Sequence, residues 1–447
     1  MEIPETRYAL SDGLHIAYQV YGDGPVDIVH VSNWTWCVDL CWDLPIIAGW
    51  LNALGQIGRV VMFDMPGTGS SDPLPGDRPT NMEDWMDTVG VVLDAVNVER
   101  AALIAHDVGG MMSMLFAAAH PERVAALVLI GSTARMNAAP GYDIGFPAEL
   151  QQRGIDWWLR MWGTGKQIQL TAPSMAVDED LLRLQARWER LAMPPATAKL
   201  LFTLVGELDV RGVLGSIRVP TLVIHRRGDR WIRVAHGRYL ADNIPDARYV
   251  EVAGDDHFPF VGDMPLIARE IRTFLGATRP EKREDADRML ATVLFTDIVS
   301  STERAAELGD RRWKELLDSH DRMVREALSQ FKGREIKTTG DGFLAAFDGP
   351  GKGINCAIAI RQGAHRLGID IRAGLHVGEV ELRGEDIGGL AVHAAARILA
   401  SAEAGQIVAS STVKDLVIGA GFDFDDRGVQ DLKGIPGEWR LYAVRQS

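Results

Sequence analysis

The chain has 447 residues but only three cysteines, Cys37, Cys41 and Cys356, and no CxxC pair. A disulfide scaffold and a cysteine-based zinc site are therefore excluded. Positive charge is scarce as well. Lys and Arg number 47 against 61 Asp and Glu, a formal net charge of −14. So acidic a chain is expected to bind neither nucleic acid nor an anionic membrane surface through bulk charge. No apolar run reaches the roughly 18 residues of a transmembrane helix. The opening MEIPETRYALSDG has neither the basic nor the apolar region of a secretory signal. These absences predict a cytoplasmic protein. The remaining composition, 47% hydrophobic and 24% charged, is ordinary for a globular chain. At roughly 150 residues per domain, two or three domains are expected.

Short apolar runs at 26–31, 60–63, 101–105, 124–130 and 221–224 read as buried parallel strands. Helical patterns such as 82–95 and 108–119 lie between them, which predicts a doubly wound α/β sheet. From about 133 to 217 the strand signal disappears, and a helical cap is expected there. The cap holds Trp157, Trp158, Trp162 and Trp188. An aromatic-lined pocket and plain core packing both explain them. Residues 276–288, GATRPEKREDADR, lack any large apolar side chain and read as a linker.

After the linker the apolar pattern restarts at Met289. A strand over 289–297 ends on Asp297, and a second over 335–339 leads into Gly340-Asp341-Gly342 and a third strand over 343–347. Two aspartates on neighbouring strands suit hard divalent ions and phosphate oxygens. Asp in a hairpin turn is also common without any such role. The ordered set FTDIVSST, IKTTGDGF, EDIGGLAVHAAAR and LKG resembles the catalytic domain of class III nucleotidyl cyclases over roughly 289–444. The resemblance implies a ferredoxin-like α+β domain that pairs head to tail with a second copy, with the nucleotide at the homodimer interface. It implies that Asp297, Asp341 and the Ile298 carbonyl hold two Mg²⁺ or Mn²⁺ ions. Lys337 and Asp386 match the base-selecting pair. A Lys donor and an Asp acceptor fit adenine, which offers N1 as acceptor and N6 as donor, so ATP is the expected substrate. Arg397 matches the arginine that stabilises charge on the α-phosphate, and Lys433 the phosphate-binding lysine. His393 stands where the family usually has a ribose-orienting Asn. Glu385, next to Asp386, leaves a register alternative, and the 11-residue spacing to Arg397 favours Asp386.

In the first half, Ala105-His106-Asp107-Val108-Gly109 joins an apolar strand to a helical pattern. Small residues two positions either side of Asp107 suit a strained strand-to-helix elbow carrying a nucleophile. An Asp that merely caps the following helix is the alternative. Asp229, after the strand at 221–224, and His257, before a final helix, complete the order nucleophile, acid, base; Asp255 and Asp256 are weaker candidates for the acid. Together these resemble the α/β-hydrolase fold over about 7–275, with the cap in its usual place. An Asp nucleophile resembles the epoxide hydrolase and haloalkane dehalogenase branch. That implies attack by Asp107 on carbon, hydrolysis of the ester by water activated by His257, and an oxyanion hole from the Val108 and Ser32 N–H groups. The chain departs from that branch at His30-Val31-Ser32-Asn33, which lacks the usual Gly and Pro. No halide-binding Trp follows Asp107, and Tyr142 is the cap's only tyrosine.

The expected architecture is thus α/β: a hydrolase-like domain over 1–275, a linker over 276–288 and a cyclase domain over 289–447. The expected function is an adenylate cyclase whose N-terminal domain binds a small apolar ligand and regulates the homodimer. The alternatives are a bifunctional enzyme with a working Asp107–His257–Asp229 triad and a degenerate, nucleotide-binding cyclase.

Overall fold

The computed structural model describes residues 3–74, 81–176, 178–278, 288–338, 340–384 and 386–445. It forms two compact units, Met1–Arg283 and Glu284–Ser447. Residues 279–287, most of the expected linker, lie outside the described residues, as do Thr339 and Glu385. Among the described residues no helix is long and apolar enough to cross a membrane.

The first unit runs β1 (Arg7–Ser11), β2 (Leu14–Tyr21), β3 (Val26–Val31), α1 (Pro45–Gly55), β4 (Gly58–Phe63), α2 (Met82–Ala95), β5 (Ala101–His106), α3 (Gly109–Ala119) and β6 (Val124–Ile130). Four helices then interrupt the alternation: α4 (Ala148–Met161), α5 (Ile168–Thr171), α6 (Glu179–Ala192) and α7 (Pro195–Glu207). The chain returns to the sheet with β7 (Thr221–Arg226), α8 (Val234–Asn243), β8 (Arg248–Val252) and α9 (Met264–Ala277). The sheet order is β1-β2-β4-β3-β5-β6-β7-β8, antiparallel at β1, β2 and β4 and parallel from there on. All six residues of β5 and of β7 are buried, as central parallel strands covered on both faces require. Side-chain caps start the helices at Asn81, Asp178 and Asp263, each accepting from backbone N–H groups of the first turn. Crevices at the carboxyl ends of parallel strands take the functional loops, and the loops after β5, β7 and β8 lie at that end.

The second unit contains β9 (Arg288–Ile298), α10 (Ser301–Gln330), β10 (Arg334–Thr338), β11 (Phe343–Phe347), α11 (Pro350–Arg366), β12 (Ile371–Arg383), β13 (Asp386–Gly388), α12 (Leu390–Ala400), β14 (Ile407–Ser410), α13 (Ser411–Leu416), β15 (Phe424–Asp431) and β16 (Glu438–Val444). From β9 to β12 the element order is the expected βαββαβ, and its last strand β12 pairs antiparallel with β9. The sheet order is β10-β11-β9-β12-β14-β16-β15, with β13 beside β12. The helix α10 breaks at Gly309, whose φ of 72° and ψ of 157° are not helical. The helix α12 packs so closely on β12 that a Cβ at Gly374 would lie 2.3 Å from the Leu399 nitrogen.

Candidate functional site

Two groups of side chains stand out, one in each unit. In the first, Asp107 follows β5 with a left-handed φ of 55°. A non-glycine residue is held there only when its surroundings over-determine it. Gly109 supplies part of the reason, because a Cβ at that position would lie 2.4 Å from the Ser32 carbonyl oxygen. The helix α3 has Val108 at its cap position and no side-chain capping bond. Asp107 is therefore at an elbow and does not cap the helix.

His257 reaches Asp107 from the loop after β8. Its Nδ1 is 2.8 Å from Asp229 Oδ2, and its Nε2 is 3.7 Å from Asp107 Oδ2. All three side chains are buried. Asp229 is fixed from its other oxygen, which accepts the N–H groups of Trp231 at 2.9 Å and Ile232 at 3.0 Å. Gly131 makes room, since a Cβ there would lie 3.1 Å from His257 Cε1. Burial alone would lower the His257 pKa, but Asp229 and Asp107 outweigh it and raise the group to about 10. Burial would raise Asp229, yet the imidazoles of His257 and His225 hold it well below the usual carboxylate range. The His257 ring thus lies between the carboxyl groups of Asp229 and Asp107.

The sequence reading missed Asn33. Its Nδ2 lies 3.5 Å from Asp107 Oδ2, and its Oδ1 accepts from Thr35 Oγ1 at 3.0 Å, which orients the amide. Neither the Val108 nor the Ser32 N–H is hydrogen-bonded among the described residues, as an oxyanion hole requires. Tyr142 is committed elsewhere, with its hydroxyl 2.8 Å from His236 Nδ1 and 3.2 Å from Thr133 Oγ1. Of the alternative acids, Asp256 accepts from the Ser174 N–H and Asp255 faces Arg230, and neither bonds His257.

A cavity open to solvent on one side lies between the cap and Val108. The cap tryptophans divide between the two expected roles. Trp158 lines the cavity, joined there by Trp34 and Trp231 from outside the cap, whereas Trp188 is packed into the hydrophobic core beside Trp36.

In the second unit Asp297 lies at the end of β9. Phe343 pairs with Thr296, so Asp341, two residues before Phe343, leaves the β10–β11 tip at that same end. Arg372, which the sequence reading also missed, pairs directly across from Asp297 on β12 and places Nε 3.0 Å from Oδ2. Only the antiparallel register of β9 and β12 reveals it. Among the described residues nothing bonds Asp297 Oδ1 or the Asp341 carboxylate, and no cluster of three or more His, Cys, Asp or Glu is placed to hold a metal. Two carboxylates with open oxygens and the Ile298 carbonyl are hard donors that fit divalent ions whose coordination is completed by phosphates and water.

Lys337 Nζ lies 3.0 and 2.8 Å from the two oxygens of Asp386, which joins the strand end of β10 to β13. The hydrogen bond from Lys337, and then that from the Ile387 N–H, lowers the Asp386 pKa. His393 and Arg397, four apart, both lie on the exposed face of α12, and Lys433 is exposed on the turn between β15 and β16. Among the described residues none of these three makes a hydrogen bond or ion pair with Asp297, Asp341, Lys337 or Asp386 in the single chain.

The family model described as alpha/beta hydrolase fold matches residues 41–263, and that of the adenylate and guanylate cyclase catalytic domain matches residues 286–446. A 2-hydroxy-6-oxo-6-phenylhexa-2,4-dienoate hydrolase of Comamonas testosteroni is 28% identical over 223 residues, 46% of this chain and 74% of its own. The strigolactone esterase D14 of Arabidopsis thaliana is 26% identical over 225 residues, 48% of this chain and 82% of its own. Among solved structures, a hydrolase from Pseudomonas aeruginosa superposes with a TM-score of 0.51 at 26% identity, covering 61% of this chain and 99% of that one.

Proposed function

From the premise that the chain carries an α/β-hydrolase-fold domain followed by an adenylate and guanylate cyclase catalytic domain, we propose that it is an adenylate cyclase. It converts ATP to 3′,5′-cyclic AMP and pyrophosphate at the interface of a homodimer, and its first domain senses a small apolar ligand. The boundaries proposed are 1–275, a linker over 276–288, and 289–447. The observation that carries the choice of ATP is the Lys337–Asp386 pair, a donor and an acceptor held side by side at 2.8 Å.

Asp297, Asp341 and the Ile298 carbonyl would hold two Mg²⁺ or Mn²⁺ ions, which would supply charge to ease loss of the ribose 3′-hydroxyl proton and to neutralise the triphosphate. The chain's own groups do the rest. Lys337 donates to adenine N1 and Asp386 accepts from N6. Guanine presents the opposite polarity at those positions and would leave both groups unpaired, which supports discrimination. Arg397 supplies fixed positive charge where the α-phosphate becomes more negative, and Lys433 holds the departing phosphates. His393 donates one hydrogen bond to the ribose. Exposure of His393, Arg397 and Lys433 in the single chain supports a site completed by a second copy.

Assay of the purified full chain with ATP or GTP, and with Mg²⁺ or Mn²⁺, tests this. Cyclic AMP from wild type, and a loss of at least about a hundredfold in Asp297→Ala, is the expected result. A preference for GTP would overturn the reading of Lys337 and Asp386.

A second reading, of a bifunctional enzyme, is favoured by the 2.8 Å contact of His257 with Asp229 behind Asp107. In it Asp107 displaces a leaving group from carbon and becomes a neutral ester. Loss of that negative charge lowers the His257 pKa, so the imidazolium gives up its proton to the leaving group or to solvent, and the neutral imidazole then takes a proton from the water that cleaves the ester. Trapping of an alkyl ester on Asp107 in His257→Gln is the outcome this reading requires. No ester from epoxides, alkyl halides or esters would count against it.

A further inference from the structure

Trp34, Trp158, Phe202 and Trp231 wall the cavity between the cap and the elbow. Their rings interlock, with centroids 4.4 Å apart for Trp34 and Phe202, 5.0 Å for Trp158 and Phe202, and 4.9 Å for Trp158 and Trp231. Rings so arranged take a further aromatic ring edge-on or in offset stacking. Among the described residues no Asp, Glu, Lys, Arg or His lines this space. An ion that entered it would give up water without meeting an opposite charge.

The same wall carries two amides, Asn137 and Gln151, which converge on Gly206 of α7. A Cβ at Gly206 would lie 2.7 Å from Gln151 Nε2 and 3.2 Å from Asn137 Nδ2, so glycine there makes room for both. Asn137 is held from two sides. Its Nδ2 donates to the Gly206 carbonyl, and its backbone carbonyl accepts from Arg135 Nε at 3.0 Å. Arg135 is itself paired with Asp209 at 2.9 Å. The bond to Gly206 decides which way the Asn137 amide faces, and Oδ1 is the end left over. Among the described residues nothing donates to that oxygen, and the Gln151 side chain has no hydrogen bond. Asn137 is only 7% exposed. A polar atom in so buried a side chain costs free energy until a partner reaches it. A hydroxyl group answers both amides, because it donates one hydrogen bond and accepts another.

We infer that this cavity takes an uncharged aromatic molecule bearing a hydroxyl group, a phenol or aryl alcohol. Its ring lies among the tryptophans and Phe202, and its hydroxyl donates to Asn137 Oδ1 and accepts from Gln151 Nε2. The inference gives the ligand of the proposed sensory domain a chemical class, and its regulatory meaning rests on that reading.

Tryptophan fluorescence of the full chain, excited beyond the phenol absorption band, is titrated with para-tert-butylphenol, with para-tert-butyltoluene, which has a methyl in place of the hydroxyl, and with para-tert-butylbenzoate. The phenol is expected to bind about tenfold tighter than the methyl isostere, and the benzoate weakest. Asn137→Leu is expected to remove that preference while the isostere still binds, which also reports that the variant is folded. Should it fail to fold, Gln151→Met, on the half-buried side of α4, is expected to cut the preference several-fold. Equal or tighter binding of the isostere, tightest binding of the benzoate, binding of none of the three, or a preference undiminished in both variants would overturn the inference. Cyclase rate is followed in the same titrations. Phenol binding at unchanged rate overturns the sensory reading and leaves the hydroxyl site standing. A rate that responds to the isostere and not to the phenol supports sensing and overturns the hydroxyl site.

Discussion

His257 sits between two buried carboxylates, and this fixes how the first domain responds to pH. Its pKa of about 10 lies above the ordinary 6.5, so proton binding stabilises the folded state. The contribution is complete below pH 6.5 and is lost as pH rises through 10. The melting temperature of this domain, read by fluorescence of the ten tryptophans that precede residue 276, is expected to fall over that interval. Asp229→Asn removes the strongest partner and is expected to flatten the slope; an unchanged slope would mean that His257 is neutral at rest. His393 invites a different test. An Asn amide offers a fixed donor and acceptor where neutral imidazole offers one donor. His393→Asn is expected to raise kcat several-fold, at most about tenfold, with KM for ATP nearly unchanged, because the bond to the ribose matters most in the transition state. Lower turnover would mean that the pocket is shaped around imidazole.

At the scale of elements, glycines set how near helices approach the sheets that carry the sites. Gly374 lets α12 lie against β12, and α12 bears His393 and Arg397. Gly374→Ala puts a methyl against helix backbone, which cannot rotate away. A destabilisation of about 1–3 kcal/mol of the second domain is expected in denaturant unfolding, with loss of cyclase rate at temperatures where the variant is still folded. What the sequence disclosed follows the same line. Apolar runs marked β3, β5, β6 and β7, and the small residues around Asp107 marked the elbow, because both signals are local. The α9 helix extends to Ala277, two residues into the expected linker, since Gly276 and Ala277 carry no large apolar side chain to continue the periodic signal. Asn33 and Arg372 were not legible. Asn33 reaches Asp107 across 74 positions and Arg372 reaches Asp297 across 75, and only strand order and register bring those pairs together.

Whole-molecule behaviour turns on whether the cyclase site belongs to one chain or to two. The single chain sets Asp297 and Asp341 at the same end of the β9–β11 pair and leaves His393 and Arg397 exposed on α12. A head-to-tail dimer would bring the second set of one copy to the first set of the other, twice, through a two-fold axis. Two inactive variants should then rescue one another. In an equimolar mixture of Asp297→Ala and Arg397→Ala, random pairing makes about half the dimers mixed. Each mixed dimer has one site with both defects and one with neither, so half of half, about a quarter of wild-type activity, is expected. Each variant alone is expected to stay inactive. Rescue would require no new contact and no separate catalytic partner, since one chain supplies every group. Absence of rescue, with mixed dimers demonstrated by differential tagging, would place both residues in a site built within one copy. It would also remove the reason for their exposure in the single chain.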